Sequence, residues 1–177
     1  MNRPRTARKP RPPLDGPALH ELALAYVARF ATSRGKLSRY LDRKLRERGW
    51  AGAGEARDAA GQAASRMAEL GYVDDAAYAA GRARTFAARG FGPRRLSADL
   101  MAAGVGEEQR AAAAGTLDAG AAALRFAEKR RIGPFATERA DPKAREKQLS
   151  AMLRAGHSIA DARRILACRP GEMPDFS

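Results

Sequence analysis

The stretch from Gly92 to Val105, which reads GPRRLSADLMAAGV, carries the signals that decide the fold. Its proline suits the first position of a helix, because the N–H that proline lacks would have no partner there. Leu96 and Leu100 follow four residues apart, so both lie on one face of a helix. Gly104 can end the helix, since glycine readily takes the left-handed conformation of a C-terminal cap. The stretch therefore predicts one short amphipathic helix with a defined start and end.

The pattern of two leucines followed by a glycine occurs at two other places in the chain. The further copies are Leu41, Leu45 and Gly49, and then Leu149, Leu153 and Gly156, where the glycine comes one residue early. In every case one amphipathic segment precedes the pattern and another follows it. We therefore interpret the pattern as the middle helix of a repeated three-helix unit.

The rest of the chain is predicted to be helical as well. Apolar residues recur at helical spacing, as they do from Leu19 to Phe30, and capping residues or prolines mark most helix starts. Valine and isoleucine are too scarce to build a sheet. The sequence thus predicts an all-α protein of three tandem three-helix repeats, residues 18–72, 73–119 and 120–168, stacked into an elongated, curved helical array.

Two terminal segments lack an apolar helical stripe. The first, residues 1–17, has four prolines among its first thirteen positions and no acid before Asp15, and it contains Arg3, Arg5, Arg8, Lys9 and Arg11. A segment that cannot bury apolar surface stays unfolded, so we predict a disordered basic N-terminal tail. We also predict that residues 169–177 form a disordered C-terminal tail.

The formal net charge of +13 indicates a polyanionic partner, either nucleic acid or an anionic membrane. The membrane interpretation is the weaker one. No apolar run approaches the roughly 20 residues that a membrane-spanning helix needs, and no apolar stretch follows the basic N-terminus as it would in a signal peptide. We therefore expect a cytoplasmic protein that binds no membrane.

The sequence offers few groups for catalysis or for holding a metal. It has no glycine-rich loop followed by Lys-Ser or Lys-Thr, so an ATP site is not predicted. The adjacent carboxylates Asp74 and Asp75 suit the start of a helix better than a cation site. Cys168 is the only cysteine, and His20 and His157 are far apart in sequence, which argues against a zinc site. We expect no catalytic residues, no metal and no cofactor, and hence a binding protein rather than an enzyme.

Basic residues in stripes are the candidate binding sites. Three of them share one helix face opposite its leucines, at spacings of four and three: Arg39, Arg43 and Arg46. The second unit contributes Arg82, Arg89, Arg94 and Arg95, and the third Lys129, Arg130, Arg131, Lys143, Arg145 and Lys147. The alternative is that these residues form the solvated faces of an arginine-rich protein.

Arg94 and Arg95 have an unfavourable position for the helix that they begin. Arginines in a first turn oppose the helix dipole, so the stability of that helix does not explain them. A ligand anion bound at the helix N-terminus would explain them.

Two sequence stretches resemble the RecX family. LGYVDDAAY, residues 70–78, resembles the L-G-Y-[LV]-D-D-x-x-[YF] segment between the first two repeats of that family, and RGFGPRRL, residues 89–96, is similar to its R-[KR]-G-x-G-P-x-x-[IL]. LMAAGV, residues 100–105, then matches L-x-x-x-G-[IV]. The first repeat departs from the usual S-x-x-E-L-x-x-K-L, because Lys36 and Tyr40 replace its glutamate and lysine. The third repeat is the least similar.

The resemblance implies a regulator that binds the RecA filament on single-stranded DNA, along the helical groove of that filament. It implies that RecA ATP hydrolysis, strand exchange or filament growth is restrained in recombination and DNA repair, as part of the SOS response. We expect a monomer, and direct contact with DNA stays open. The alternatives are a helical DNA-binding protein that acts without RecA and a protein that binds anionic membranes.

Overall fold

The computed structural model describes residues 11–176, and over that range the chain is helical. Its nine α-helices are α1 Gly16–Val27, α2 Arg34–Arg48, α3 Ala56–Glu69, α4 Asp75–Arg89, α5 Pro93–Ala102, α6 Glu107–Gly115, α7 Ala119–Arg130, α8 Pro142–Arg154 and α9 Ile159–Ala167. A short 3-10 turn, Gly133–Phe135, lies between α7 and α8. Within the same range, extended pairing is limited to a bridge between Leu14 and Trp50. The all-α prediction is confirmed.

The helices form two compact units, and the boundary between the units lies between Asp74 and Asp75. In the first unit α1, α2 and α3 pack on one another around the leucines of α2. In the second unit α4, α5 and α6 surround one apolar cluster, and α7, α8 and α9 surround another. Phe91 packs against both of these clusters. The finer division of this unit into repeats at residues 119 and 120 stays a prediction.

The disordered N-terminal tail predicted for residues 1–17 extends too far, because the fold already begins before residue 17. Leu14 is only 1% exposed and belongs to the core of the first unit. Its N–H donates to the Gly49 carbonyl at 3.0 Å, and its carbonyl accepts from Ala51 at 2.8 Å. The helix α1 already begins at Gly16. A single leucine anchors the chain because backbone pairing accompanies its burial; residues 1–10 of the predicted tail lie outside the described residues.

The C-terminal segment also packs on the fold, contrary to the predicted disordered tail. The Gly171 N–H donates to the Pro134 carbonyl at 2.8 Å, and the Arg164 guanidinium donates to the Asp175 carbonyl at 3.0 Å. The ring of Phe176 lies so close to Gly120 that a Cβ there would be 2.7 Å from its Cγ. Phe176 therefore packs where the missing side chain of Gly120 leaves room on α7.

Five of the described helices end in the same cap, in which a left-handed residue is followed by a hydrogen bond back to the last turn. After α5, Gly104 has φ +76°, its N–H donates to Met101, and the next N–H, that of Val105, donates to Leu100. The ends of α3, α4, α7 and α8 repeat this pair of bonds. Such a cap satisfies carbonyls that a helix end leaves unpaired and frequently brings the following residue against the last turn, although Tyr72 after α3 stays 57% exposed. Val105 after α5 is buried.

The cap corrects the register that the leucines predicted for the third repeat. In α8 the residue four before Gly156 is Met152, which is 0% exposed and accepts the bond from the N–H that follows the glycine. Leu153 is 37% exposed. The position of the glycine fixes which residue faces the core, so Met152 corresponds to Leu100 and the assignment of Leu153 to the stripe is wrong.

The turn between α4 and α5 contacts the turn between α8 and α9 directly through backbone atoms, because glycines leave no side chain between them. A Cβ on Gly92 would lie 2.3 Å from the Gly156 carbonyl oxygen, and one on Gly156 would lie 2.4 Å from the Arg95 nitrogen. A Cβ on Gly90 would lie 2.8 Å from the Phe126 nitrogen. Because these neighbours are backbone atoms, no rotamer change could make room for a side chain.

We predict that Gly92→Ala lowers the free energy of unfolding by about 1–3 kcal/mol, the usual cost of forced overpacking. The φ of Gly92 is −79°, which alanine adopts freely, so the cost is steric. Gly81→Ala within α4 is the matched control: its Cβ would meet only the end of Arg84, at 3.8 Å. This control should gain about 0.5–1 kcal/mol, because alanine favours helix interiors. Denaturant unfolding followed by circular dichroism measures the free energy of unfolding of both variants. Equal changes in the two variants would contradict the close backbone contact at Gly92.

Candidate functional site

The three predicted cations of α2 lie on an exposed helix face. The helix starts at an N-cap, Ser33, whose hydroxyl accepts from the Lys36 N–H at 3.2 Å. Its leucines at positions 37, 41 and 45 are buried in the first unit. Arg39, Arg43 and Arg46 are all exposed. The leucine stripe thus orients the helix so that its cations face solvent.

Two of these arginines already have acidic neighbours on the same helix. The Arg46 guanidinium lies 2.8 Å from Asp42, and that of Arg43 lies 3.7 Å from Glu47. A hydrogen bond from Lys44 lowers the pKa of Glu47 and keeps it ionised. Exposed pairs of this kind contribute little free energy, so a phosphate can displace the carboxylate as the partner of an arginine.

The predicted anion site at the start of α5 is occupied by the protein itself. The Gly92 N–H donates to the Ala155 carbonyl at 2.9 Å, and the Arg94 N–H donates to the Gly156 carbonyl at 3.3 Å. The N-terminus of α5 therefore meets the C-terminal end of α8. These carbonyls satisfy the N–H groups that an anion would need, so the anion interpretation of this turn is wrong.

The same contact explains Arg95. Its guanidinium donates to the Arg154 carbonyl at the end of α8, at 3.3 Å, and lies 4.3 Å from the centroid of Phe91. Arg95 opposes the dipole of its own helix but complements the negative end of α8. Arg89 also lies over Phe91, at 5.5 Å. Arg94 is exposed beside them.

Arg82 is part of an ion pair that links α4 to α5. Its guanidinium donates twice to the Asp99 carboxylate, at 2.9 and 2.8 Å, and lies 4.9 Å from the Phe86 centroid. The hydrogen bond to Asp99 raises the pKa of Arg82. A bidentate pair is the strong form of this interaction, so Arg82 is held in the fold.

The basic residues at the end of α7 have mixed surroundings. Lys129 donates to the Ala88 carbonyl at 3.1 Å, and Arg125, which the sequence did not single out, donates to the Ala87 carbonyl at 2.9 Å. Both cations thereby complement the C-terminal end of α4. Arg130 lies 5.6 Å from the Phe126 centroid, and Arg131 ends α7 in the left-handed conformation at φ +53°.

The three basic residues predicted on α8 do not share a face. Lys143 and Lys147 are four apart and exposed. Arg145 is half-buried and donates to the Leu166 carbonyl of α9 at 3.2 Å. The lysines are therefore available to a ligand, while Arg145 joins α8 to α9.

His157 lies in the loop between α8 and α9, and its side chain is buried. It is 1% exposed, its Nε2 lies 3.1 Å from the Gly90 carbonyl oxygen, and its ring lies 5.4 Å from that of Phe126. Its Nδ1 has no hydrogen-bond partner among the described residues. Burial lowers the pKa of His157. The repeat contains a signal for this burial, since the residue after the capping glycine is the buried Val105 in the second group.

A cavity of about 400 Å³ lies in the first unit beside Trp50, between α1 and α3. Its lining contains His20, Gln62 and Arg66 but neither a carboxylate nor a nucleophilic side chain. Over residues 11–176, no three His, Cys, Asp or Glu side chains lie close enough to hold a metal ion. None of the helices in that range is both long and apolar enough to cross a membrane.

Comparisons with known proteins all lead to one family. The model of "RecX, second three-helix domain" matches residues 74–113. The chain is 30% identical over 164 residues to the regulatory protein RecX of Myxococcus xanthus, covering 86% of each protein. It is 43% identical over 86 residues to the regulatory protein RecX of Thermus thermophilus, covering 49% of this chain and 56% of that protein.

A solved structure, described as the crystal structure of regulatory protein RecX, has a similar fold. The TM-score is 0.63, with 18% identity, 85% of this chain covered and 70% of the other. At that identity the likeness establishes the fold alone.

We predict that His157 makes stability depend on pH. Burial lowers its pKa in the folded state below the ordinary value of 6.5, so the unfolded chain binds the proton more tightly. The stabilising contribution is complete above that value and is lost as the pH falls through it toward the folded pKa. Denaturant unfolding from about pH 7.5 to about pH 5.5 should show the fall in unfolding free energy.

His157→Gln is the informative variant, because the amide can still donate to Gly90 but does not titrate in this range. In this variant the free energy of unfolding should decrease less as the pH is lowered. His20→Gln removes the other histidine and should keep the fall that His157 causes. A parental slope in His157→Gln would show that other groups produce the pH dependence.

Proposed function

The chain belongs to the RecX family of regulatory proteins, and we propose that it binds the RecA filament on single-stranded DNA and inhibits RecA. The inhibited steps are ATP hydrolysis, strand exchange and growth of the filament. Family membership supports the identity of the partner. The basic surface supports the mode of binding, since a nucleoprotein filament is a dense polyanion. We propose that the protein acts as a cytoplasmic monomer.

The exposed face of α2 is the observation that carries the binding proposal. Arg39, Arg43 and Arg46 project from a helix whose opposite face is fixed in the core. A fixed row of cations can engage several phosphates at once. The loss of free energy from any one exposed contact is small, but the contacts act together.

The second unit contributes separate basic residues to the proposal. Those that we propose to contact the filament are Arg89, Arg94, Arg130, Arg131, Lys143 and Lys147. Four others donate to a carboxylate or carbonyl of the fold, namely Arg82, Arg95, Lys129 and Arg145. We propose that these four support the surface by holding its helices together.

The test is the DNA-dependent ATPase of RecA in the presence of the full chain. The parent should inhibit it. We predict that replacing Arg39, Arg43 and Arg46 together by glutamine weakens filament binding and inhibition. If the three contact phosphates, the slope of log affinity against log salt should become shallower by about 0.7–0.9 for each lost contact. Helical content should stay parental, because these side chains are exposed.

A matched control removes the same charge from exposed positions outside the proposed surface, by replacing Arg57, Arg66 and Arg84 with glutamine. It should inhibit almost as well as the parent. Equal losses in the two triple variants would mean that only total charge matters. Binding to DNA by the parent without any effect on RecA would favour a DNA-binding protein that acts alone.

A further inference from the structure

Three aromatic rings form a continuous row on the first unit. The rings of Tyr26 and Tyr40 stack with centroids 4.1 Å apart and planes 27° apart, which joins α1 to α2. Phe30 extends the row beyond the end of α1, with its centroid 5.2 Å from that of Tyr26. We call these three residues the aromatic row. The two tyrosines are half-buried, but Phe30 is 50% exposed, so the row is open at one end.

Cations lie over the rings at both ends of the aromatic row. The Arg29 guanidinium is 5.5 Å from the Phe30 centroid, and Arg43 and Lys44 lie 5.5 and 5.9 Å from the Tyr40 centroid. Arg43 also belongs to the exposed face of α2. That helix contains seven basic residues and two acidic ones. The row therefore lies within the strongest concentration of positive charge in the first unit.

Rings and cations together match one kind of ligand better than either does alone. An apolar ring by itself fits any hydrophobic side chain, and a cation by itself fits any acidic surface. A single nucleic-acid strand presents unpaired bases, which stack on aromatic rings, beside phosphates, which attract cations. A duplex presents the phosphates but keeps its bases stacked inside. An acidic protein surface supplies negative charge, but it does not place a planar ring beside each charge as a nucleic-acid strand does.

We infer that the open end of the aromatic row, at Phe30, is a stacking site for a base of single-stranded DNA. In this arrangement Arg29 holds the adjoining phosphate, and Arg43, beside Tyr40 at the other end of the row, holds a phosphate further along the strand. The inference deepens the proposed function and rests on it, because the filament supplies the strand. It assigns the α2 face to the DNA of that filament rather than to its protein. Tyr26 and Tyr40 position Phe30 and hold α1 against α2.

The experiment measures binding of the full chain, without RecA, to three fluorescent ligands by anisotropy. They are a thymidine oligonucleotide, an abasic oligomer of the same length and charge, and a duplex. The parent should bind the thymidine oligonucleotide more tightly than the abasic oligomer. Phe30→Leu keeps an apolar side chain but removes the ring. We expect it to weaken thymidine binding by at least about fivefold, corresponding to the lower end, about 1 kcal/mol, of stacking on one base.

The other ligands and variants make the result specific. Phe30→Leu should leave the affinity for the abasic oligomer and for the duplex unchanged, and it should not alter the salt dependence. Phe30→Trp should retain parental binding, because the indole also stacks. Arg29→Gln should make the salt dependence shallower for every ligand. Met101→Ala, at another exposed apolar side chain, should bind all three ligands as the parent does.

Several outcomes would overturn the inference. Parental thymidine affinity in Phe30→Leu would do so, as would an equal loss for the abasic oligomer. Failure of the parent to bind any oligonucleotide, together with reduced RecA inhibition by Phe30→Leu, would assign the row to a protein surface. The proposed function fails by a different result, namely parental protein that leaves the RecA ATPase unaffected while the oligonucleotide binding stands.

Discussion

The second unit depends on a close approach of two turns that only glycine permits. Gly92 at the start of α5 and Gly156 at the end of α8 bring backbone atoms of the two turns into direct contact. At this distance the N–H groups that begin α5 reach the carbonyls that end α8. Each helix end thereby satisfies the other, and Arg95 adds its charge to the same place. The turns hold together through peptide groups, with side chains arranged around them.

Part of the positive charge of the second unit serves the fold itself. Several of its cations lie at helix C-termini and donate to carbonyls there: Arg95 at the end of α8, and Arg125 and Lys129 at the end of α4. Net charge therefore overstates the number of residues available to a ligand. The exposed cations of α2, Arg94 and the lysines of α8 are better candidates because they face solvent.

Helix-start and helix-end residues predicted the helices well. The features that the sequence analysis missed depend on contacts between segments that are far apart in the chain. Pro93 and Gly104 mark the ends of α5 without reference to the rest of the chain, and the structure has both. The pairing of Arg82 with Asp99, or of Leu14 with Gly49, depends on which segments meet in space. Leu153 and Met152 are similarly apolar, so composition could not choose between them; counting back from the capping glycine does. His157 could have been placed by the same count.

Part of the positive charge on the exposed face of α2 is already neutralised by carboxylates of the same helix. Asp42 and Glu47 are counterions that the helix itself carries next to Arg46 and Arg43. A lone anion gains little by replacing one of them, because the carboxylate is tethered and returns at once. A polymer whose charges are linked displaces them together, since each contact raises the local concentration of the next charge. In the function that we propose, the face would therefore select a ligand by its valence and continuity and would leave small anions of the cell in solution.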